Sequence, residues 1–118
     1  MDYRELMTES AQIFNDRHAK YGDMRLIMHR IAEISTLITG LHLTPHDIAL
    51  ILHSVKLARM SSNRKEKDNY VDGINYFAFA GDLVDAEDTT LDAMSAVNDD
   101  VAEFAAKFAP DLKDNANL

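Results

Sequence analysis

Residues 44–59 read TPHDIALILHSVKLAR, and this stretch decides the fold. Thr44 can cap free backbone N–H groups, Pro45 suits the first helical position, and Asp47 stands where a capping box places its acid. The run that follows is apolar around most of its circumference. That pattern predicts a helix buried between several neighbours, the central helix of a helical protein.

Reading outward, Ser61-Ser62-Asn63 ends this helix, and a fourth helix is predicted from about Lys65 into FAFAGDLV. After Glu87-Asp88-Thr89 a fifth carries Leu91, Met94, Val97, Val101, Phe104 and Phe108 at three- and four-residue spacing. Upstream, a second helix starts near Asp23, turns Ile27, Met28, Ile31, Ile34, Leu37 and Ile38 inward, and closes at Gly40. The first helix runs from about Asp2 to His18 with Leu6, Ile13 and Phe14 inward. It ends at the turn Lys20-Tyr21-Gly22-Asp23, where Gly22 can take the left-handed conformation.

Glycine and proline number four and two, and apolar residues do not alternate, so strands have little support. The expected fold is all-α, an antiparallel bundle of about five helices whose neighbours cross at about 20°. The last helix is amphipathic and rich in Ala, which suits either closing the bundle or pairing with a second subunit.

At 118 residues and 47% apolar content the chain is long enough for one domain, expected over 1–109, with a solvated tail from 110 to 118. Acids outnumber bases 20 to 12, for a net charge of -8, which repels nucleic-acid phosphates and anionic membranes. Residues 1–81 hold ten acids and ten bases, whereas 82–118 hold ten acids and only Lys107 and Lys113. Any anion chemistry is therefore expected in the neutral first two-thirds. Without cysteine there are no disulfides, thiolate nucleophiles or Cys-based metal sites. A charged N-terminus and the lack of a long apolar run lead us to expect a soluble, cytoplasmic protein.

The chemistry-bearing stretch is His53 to Tyr76, where ionisable residues interrupt core-like helices. Lys56 and Arg59 share one helix face, and Asp68 and Asp72 share another. Folding the two helices back at residues 61–63 brings Arg59 near Asp68 and Lys56 near Asp72. One account is a pair of interhelical salt bridges, or bases reaching solvent over buried stems. The other is a divalent cation on the carboxylates with phosphate oxygens on the bases, since Mg²⁺ favours one or two carboxylates plus substrate phosphate. Residues 56–67 carry five bases and one acid, a local positive field for an anion.

Glu33 is a candidate third carboxylate, and Tyr21, Tyr70, Asn75 and Tyr76 flank the cluster as candidates to stack on or hydrogen-bond a base. His53 reads as a partly buried, hydrogen-bonded histidine, and His18, His42 and His46 as helix-end or loop residues. No phosphate-binding loop, dinucleotide fingerprint or nucleophile elbow is present.

Three segments carry a resemblance: Lys20-Tyr21-Gly22-Asp23, Val55-Lys56-Leu57-Ala58-Arg59, and Lys67 through Tyr76. Over roughly residues 10–80 the chain resembles small phage-encoded all-helical proteins related to the MazG-like all-α nucleoside triphosphate pyrophosphohydrolases. These include the phage MazZ-type enzymes acting on purine deoxynucleotides. The resemblance implies a metal-dependent homodimer or homotetramer that cuts a nucleotide to monophosphate and pyrophosphate. It matches Asp72 to the closing Asp of the family's Glu-x-x-Asp motif; Asn69 stands where that Glu is expected, with Asp68 beside it. The family's Glu-Glu-x-x-Glu is absent, and only Glu33 stands on the corresponding helix. The implied roles are Glu33 and Asp72 in catalysis, Glu33, Asp68 and Asp72 on Mg²⁺ or Mn²⁺, and Lys56 and Arg59 on phosphate. Tyr21, Asn75 and Tyr76 fall to the base or ribose. The missing glutamates favour a second possibility, a non-catalytic interaction or nucleotide-binding protein.

Overall fold

The computed structural model describes residues 1–86 together with Asp99, Ala102, Glu103 and Ala106, all four of them helical. Four helices make up the continuous part: α1 (Tyr3–Tyr21), α2 (Met24–Thr39), α3 (Pro45–Ser62) and α4 (Lys67–Asp82). Among the described residues there is no strand. Most of the expected fifth helix and the tail from 110 to 118 lie outside the described residues.

Three of the four starts follow from a side chain that satisfies orphan backbone donors; Glu66, at the start of α4, makes no such bond. The carboxylates of Asp2 and Asp23 accept from the N–H groups of Arg4 and Arg25. At α3 the capping box closes in both directions: the Thr44 hydroxyl accepts from Asp47 N at 3.1 Å, and Asp47 accepts from Thr44 N at 2.9 Å. Gly40 ends α2 in the left-handed conformation, φ 71° and ψ 5°. Gly22 also has positive φ, 85°, but with ψ -157°, an extended region open essentially to glycine alone. The left-handed cap expected there is replaced by a sharper reversal, because only Gly22 and Asp23 separate two helices.

The helix pair α3–α4 is antiparallel. His46 Nδ1 donates to the Ala80 carbonyl and His53 Nδ1 to the Gly73 carbonyl, each at 2.8 Å, while Lys56 reaches Asp72. Since a carbonyl only accepts, both rings carry their proton on Nδ1. By contrast, α1 runs in the same direction as α4: Glu9 pairs with Lys67, Ser10 with Val71 and Asn75, Phe14 with Phe79. An antiparallel arrangement throughout is thus corrected for this pair. The chain leaves α1 at the C-terminal end of α4, where Arg25 clasps Asp82, instead of returning beside it.

The core gathers Met28 and Ala32 of α2, Ile48 and Ala49 of α3, and Ala80 and Leu83 at the end of α4. The inward face expected for α2 is kept at Met28 and at Ile31, which packs against this core, and is corrected at Ile34, Leu37 and Ile38. Met28, Ala32 and Thr36 are buried, whereas Ile34, Leu37 and Ile38 are 56%, 44% and 78% exposed. Ala32 and Thr36 are the small residues of the buried face, next to Met28, and the exposed aliphatic residues lie on the other side of α2. Likewise α3 packs chiefly on α2 and α4, with Leu50, Ile51, Val55 and Leu57 exposed among the described residues.

Candidate functional site

The last two turns of α1 present Phe14, Arg17, His18 and Tyr21, spaced i, i+3, i+4, i+7 and so on one face. Opposite them α4 presents Asn75, Tyr76 and Phe79, and the start of α2 adds Met24, Ile27 and Met28. Together with Gly22 these residues line a partly open cavity of about 370 Å³, within the size range of small-molecule sites. Its walls are aromatic: the Phe14 and Phe79 rings lie 5.8 Å apart, and Tyr76 meets Phe79 edge-on at 6.1 Å. Asn75 is held by donating from Nδ2 to the Ser10 carbonyl at 2.9 Å, and buried Ser10 is anchored by donating to the Leu6 carbonyl at 2.6 Å.

Beside the cavity stands Asp72, only 8% exposed and flanked by two cations. Lys56 Nζ lies 2.9 Å from Oδ2, and an Arg17 terminal nitrogen lies 3.3 Å from Oδ1. A carboxylate at that depth requires such partners, since an unpaired buried charge is costly. The Lys56–Asp72 pairing predicted from helix register is present. The companion pairing is not: among the described residues Arg59 and Asp68 form no ion pair, and both are exposed.

The structure brings Tyr21, Asn75 and Tyr76 to one cavity and sets Lys56 and Asp72 against each other. Tyr70 is elsewhere, donating its hydroxyl to the Arg64 carbonyl at 2.9 Å. Glu33, Asp68 and Asp72 are not brought together, and no group of three His, Asp or Glu side chains among the described residues is placed to hold a metal ion. Both Asp72 oxygens already face cations, so this donor set does not fit a metal held by those three acids in one chain. His53 is half-buried and hydrogen-bonded as expected; His46, expected at a helix end, also ties α3 to α4.

Sequence reasoning missed Arg17, His18 and Phe79 as cavity residues. The first two share the helical spacing of Phe14 and Tyr21, a signal readable once that face is assigned to a site. At the rim, Arg25 grips Asp82 with two hydrogen bonds of 2.7 and 2.8 Å. The hydrogen bond from the guanidinium, followed by its charge, holds the Asp82 carboxyl below its ordinary range, although its partial desolvation opposes this.

No helix among the described residues is long and apolar enough to cross a membrane. No curated protein and no solved structure is significantly similar to the chain. A family profile covers α1 through α4, including every cavity residue and the Lys56–Asp72 pair, and matches residues 5–84. The chain belongs to that family, described as Domain of unknown function (DUF6378).

Proposed function

We propose that this chain binds a nucleotide, with the base seated in the cavity between α1, α2 and α4. The observation that carries the reading is the convergence of Tyr21, Asn75 and Tyr76, chosen from sequence as base or ribose contacts, on one aromatic-walled cavity of about 370 Å³. Planar rings accept a planar base with little conformational cost, and a fixed amide supplies a directional contact. Such a ligand suits a cytoplasmic protein.

A second reading is a metal-dependent pyrophosphohydrolase that converts a nucleoside triphosphate, a purine deoxynucleotide by the resemblance, to monophosphate and pyrophosphate. It is favoured by the position of Asp72, the residue matched to the family's closing Asp, one side chain away from the cavity through Arg17. Mg²⁺ or Mn²⁺ would supply charge neutralisation and an activated water. Because Glu33, Asp68 and Asp72 do not converge within one chain, we derive no step through the metal. Assembly as a homodimer or homotetramer belongs to the same proposal, supported by exposed Ile34, Leu37, Ile38 and Ile51.

The test is a thermal melt followed by a product assay. A nucleotide at a hundred times its dissociation constant adds about 2.7 kcal/mol of stability. Monophosphate with pyrophosphate, formed from NTPs or dNTPs in Mg²⁺ or Mn²⁺, establishes hydrolysis. Stabilisation without product leaves the binding protein, and neither effect with folded protein defeats both readings.

A further inference from the structure

We propose that Arg17 is the phosphate-receiving residue of the cavity, turning from Asp72 to the first phosphate of the bound nucleotide. This deepens the nucleotide reading and rests on it. Among the residues lining the cavity Arg17 alone carries a permanent charge, and no acid lines the wall. An apolar, aromatic cavity with a single guanidinium suits a planar ligand bearing one anionic group.

The surroundings allow the movement. Asp72 faces two cations, and the closer is Lys56, at 2.9 Å with its side chain only 13% exposed. Arg17 sits at 3.3 Å and is 52% exposed, so it is the looser and more accessible partner. When Arg17 leaves, Asp72 keeps Lys56, and no buried carboxylate is stranded without a counter-charge. One carboxylate against two cations also leaves a local surplus of positive charge, in a chain whose net charge is -8. Of the other bases near this end of α1, Lys20 sits over the Tyr21 ring, 5.1 Å from its centroid, and Arg25 has its fork closed on Asp82.

Chemistry points the same way. A guanidinium offers paired N–H donors that match two phosphate oxygens, and it stays charged at any physiological pH. Lys56, given phosphate by the resemblance, is turned instead to Asp72, as the salt-bridge reading of its spacing expects. The phosphate role thus moves from the middle of α3 to the end of α1, beside the rings that hold the base.

The experiment is calorimetric titration of the full chain, wild type, Arg17→Gln and Arg17→Lys, with adenosine, deoxyguanosine and their 5′-monophosphates in metal-free buffer. Wild type is expected to prefer monophosphate to nucleoside by about tenfold to hundredfold, the range of a charge-assisted hydrogen bond. Arg17→Gln should erase that preference, read as the ratio of monophosphate to nucleoside affinity within the variant. Arg17→Lys should retain only part of it, and this variant keeps a charge opposite Asp72 should Arg17→Gln fail to fold. An unchanged preference in either folded variant, or none in wild type that still binds nucleoside, overturns the Arg17 assignment alone. Binding of neither nucleoside nor monophosphate to folded wild type overturns the assignment together with the nucleotide reading.

Discussion

Lys56 Nζ lies 2.9 Å from Asp72 Oδ2, with side chains 13% and 12% exposed, so the two helices α3 and α4 meet through an ion pair largely removed from water. At this depth the cost of breaking the pair depends on which partner is removed. Asp72→Asn leaves Lys56 without a counter-charge and is expected to cost about 3 kcal/mol or more. Lys56→Met is milder, because Arg17 still faces the carboxylate. Denaturant unfolding of both variants checks the order; equal costs would show that Arg17 contributes nothing to holding Asp72.

Tyr21 tests the cavity with the least disturbance to the fold, since it is 62% exposed at the end of α1. Removing a ring that stacks on a base costs about 1–3 kcal/mol of binding. Tyr21→Ala is therefore expected to weaken nucleotide binding at least about fivefold, with a melting temperature close to wild type. Unchanged affinity in the titration would place the base elsewhere.

Acid stability should reflect Asp82. Arg25 lowers its folded-state pKa through the hydrogen bond first and charge second, so the pair's contribution is fully present above the ordinary carboxylate pKa. As pH falls through the lowered value, the carboxylate protonates and that contribution is lost. Asp82→Asn should flatten the corresponding part of a stability-versus-pH curve followed by circular dichroism. The difference should shrink in high salt, because both groups lie at the surface.

The two positive-φ glycines should respond unequally. A Cβ at either position meets nothing within 4 Å, so backbone conformation alone sets the cost. Gly40→Ala enters the left-handed region at about 1 kcal/mol, and Gly40→Asn costs less. Gly22→Ala enters a region that other residues scarcely populate and should cost more, toward about 3 kcal/mol. Thermal denaturation of the three variants checks the ranking.

The outward face of α2 bears on assembly. Leu37→Glu with Ile38→Glu places charge on residues that contribute nothing to the core of one chain. Helicity should be unchanged while sedimentation equilibrium shifts to monomer. An unaltered mass would remove this face from any interface between copies.

Local chemistry was readable without a structure. The capping box at Thr44 and Asp47, the helix starts near Asp2 and Asp23, and the Gly40 stop depend on residues within a turn of one another. The same holds for the Lys56–Asp72 register, because a short loop between two regular helices fixes which turns face each other. Partner choice over longer distances was not readable. The apolar spacing of α2 left the inward face broad, and the part through Met28, Ala32 and Thr36 is buried against Ile48 and Ala49 while Ile34, Leu37 and Ile38 stay outside.

The cavity lies at the same limit. The sequence by itself determined that the described residues are helical, about where four helices begin and stop, and that Tyr21, Asn75 and Tyr76 flank an ionisable cluster. Only the tertiary structure decided that α1 runs alongside α4 in the same direction, which carries Phe14, Arg17 and Tyr21 to Asn75, Tyr76 and Phe79. Helix direction is a property of packing between elements far apart in the chain, so neither capping nor periodicity encodes it. With that direction set, a single arginine, unremarked in the sequence, stands between the buried Asp72 and the aromatic cavity.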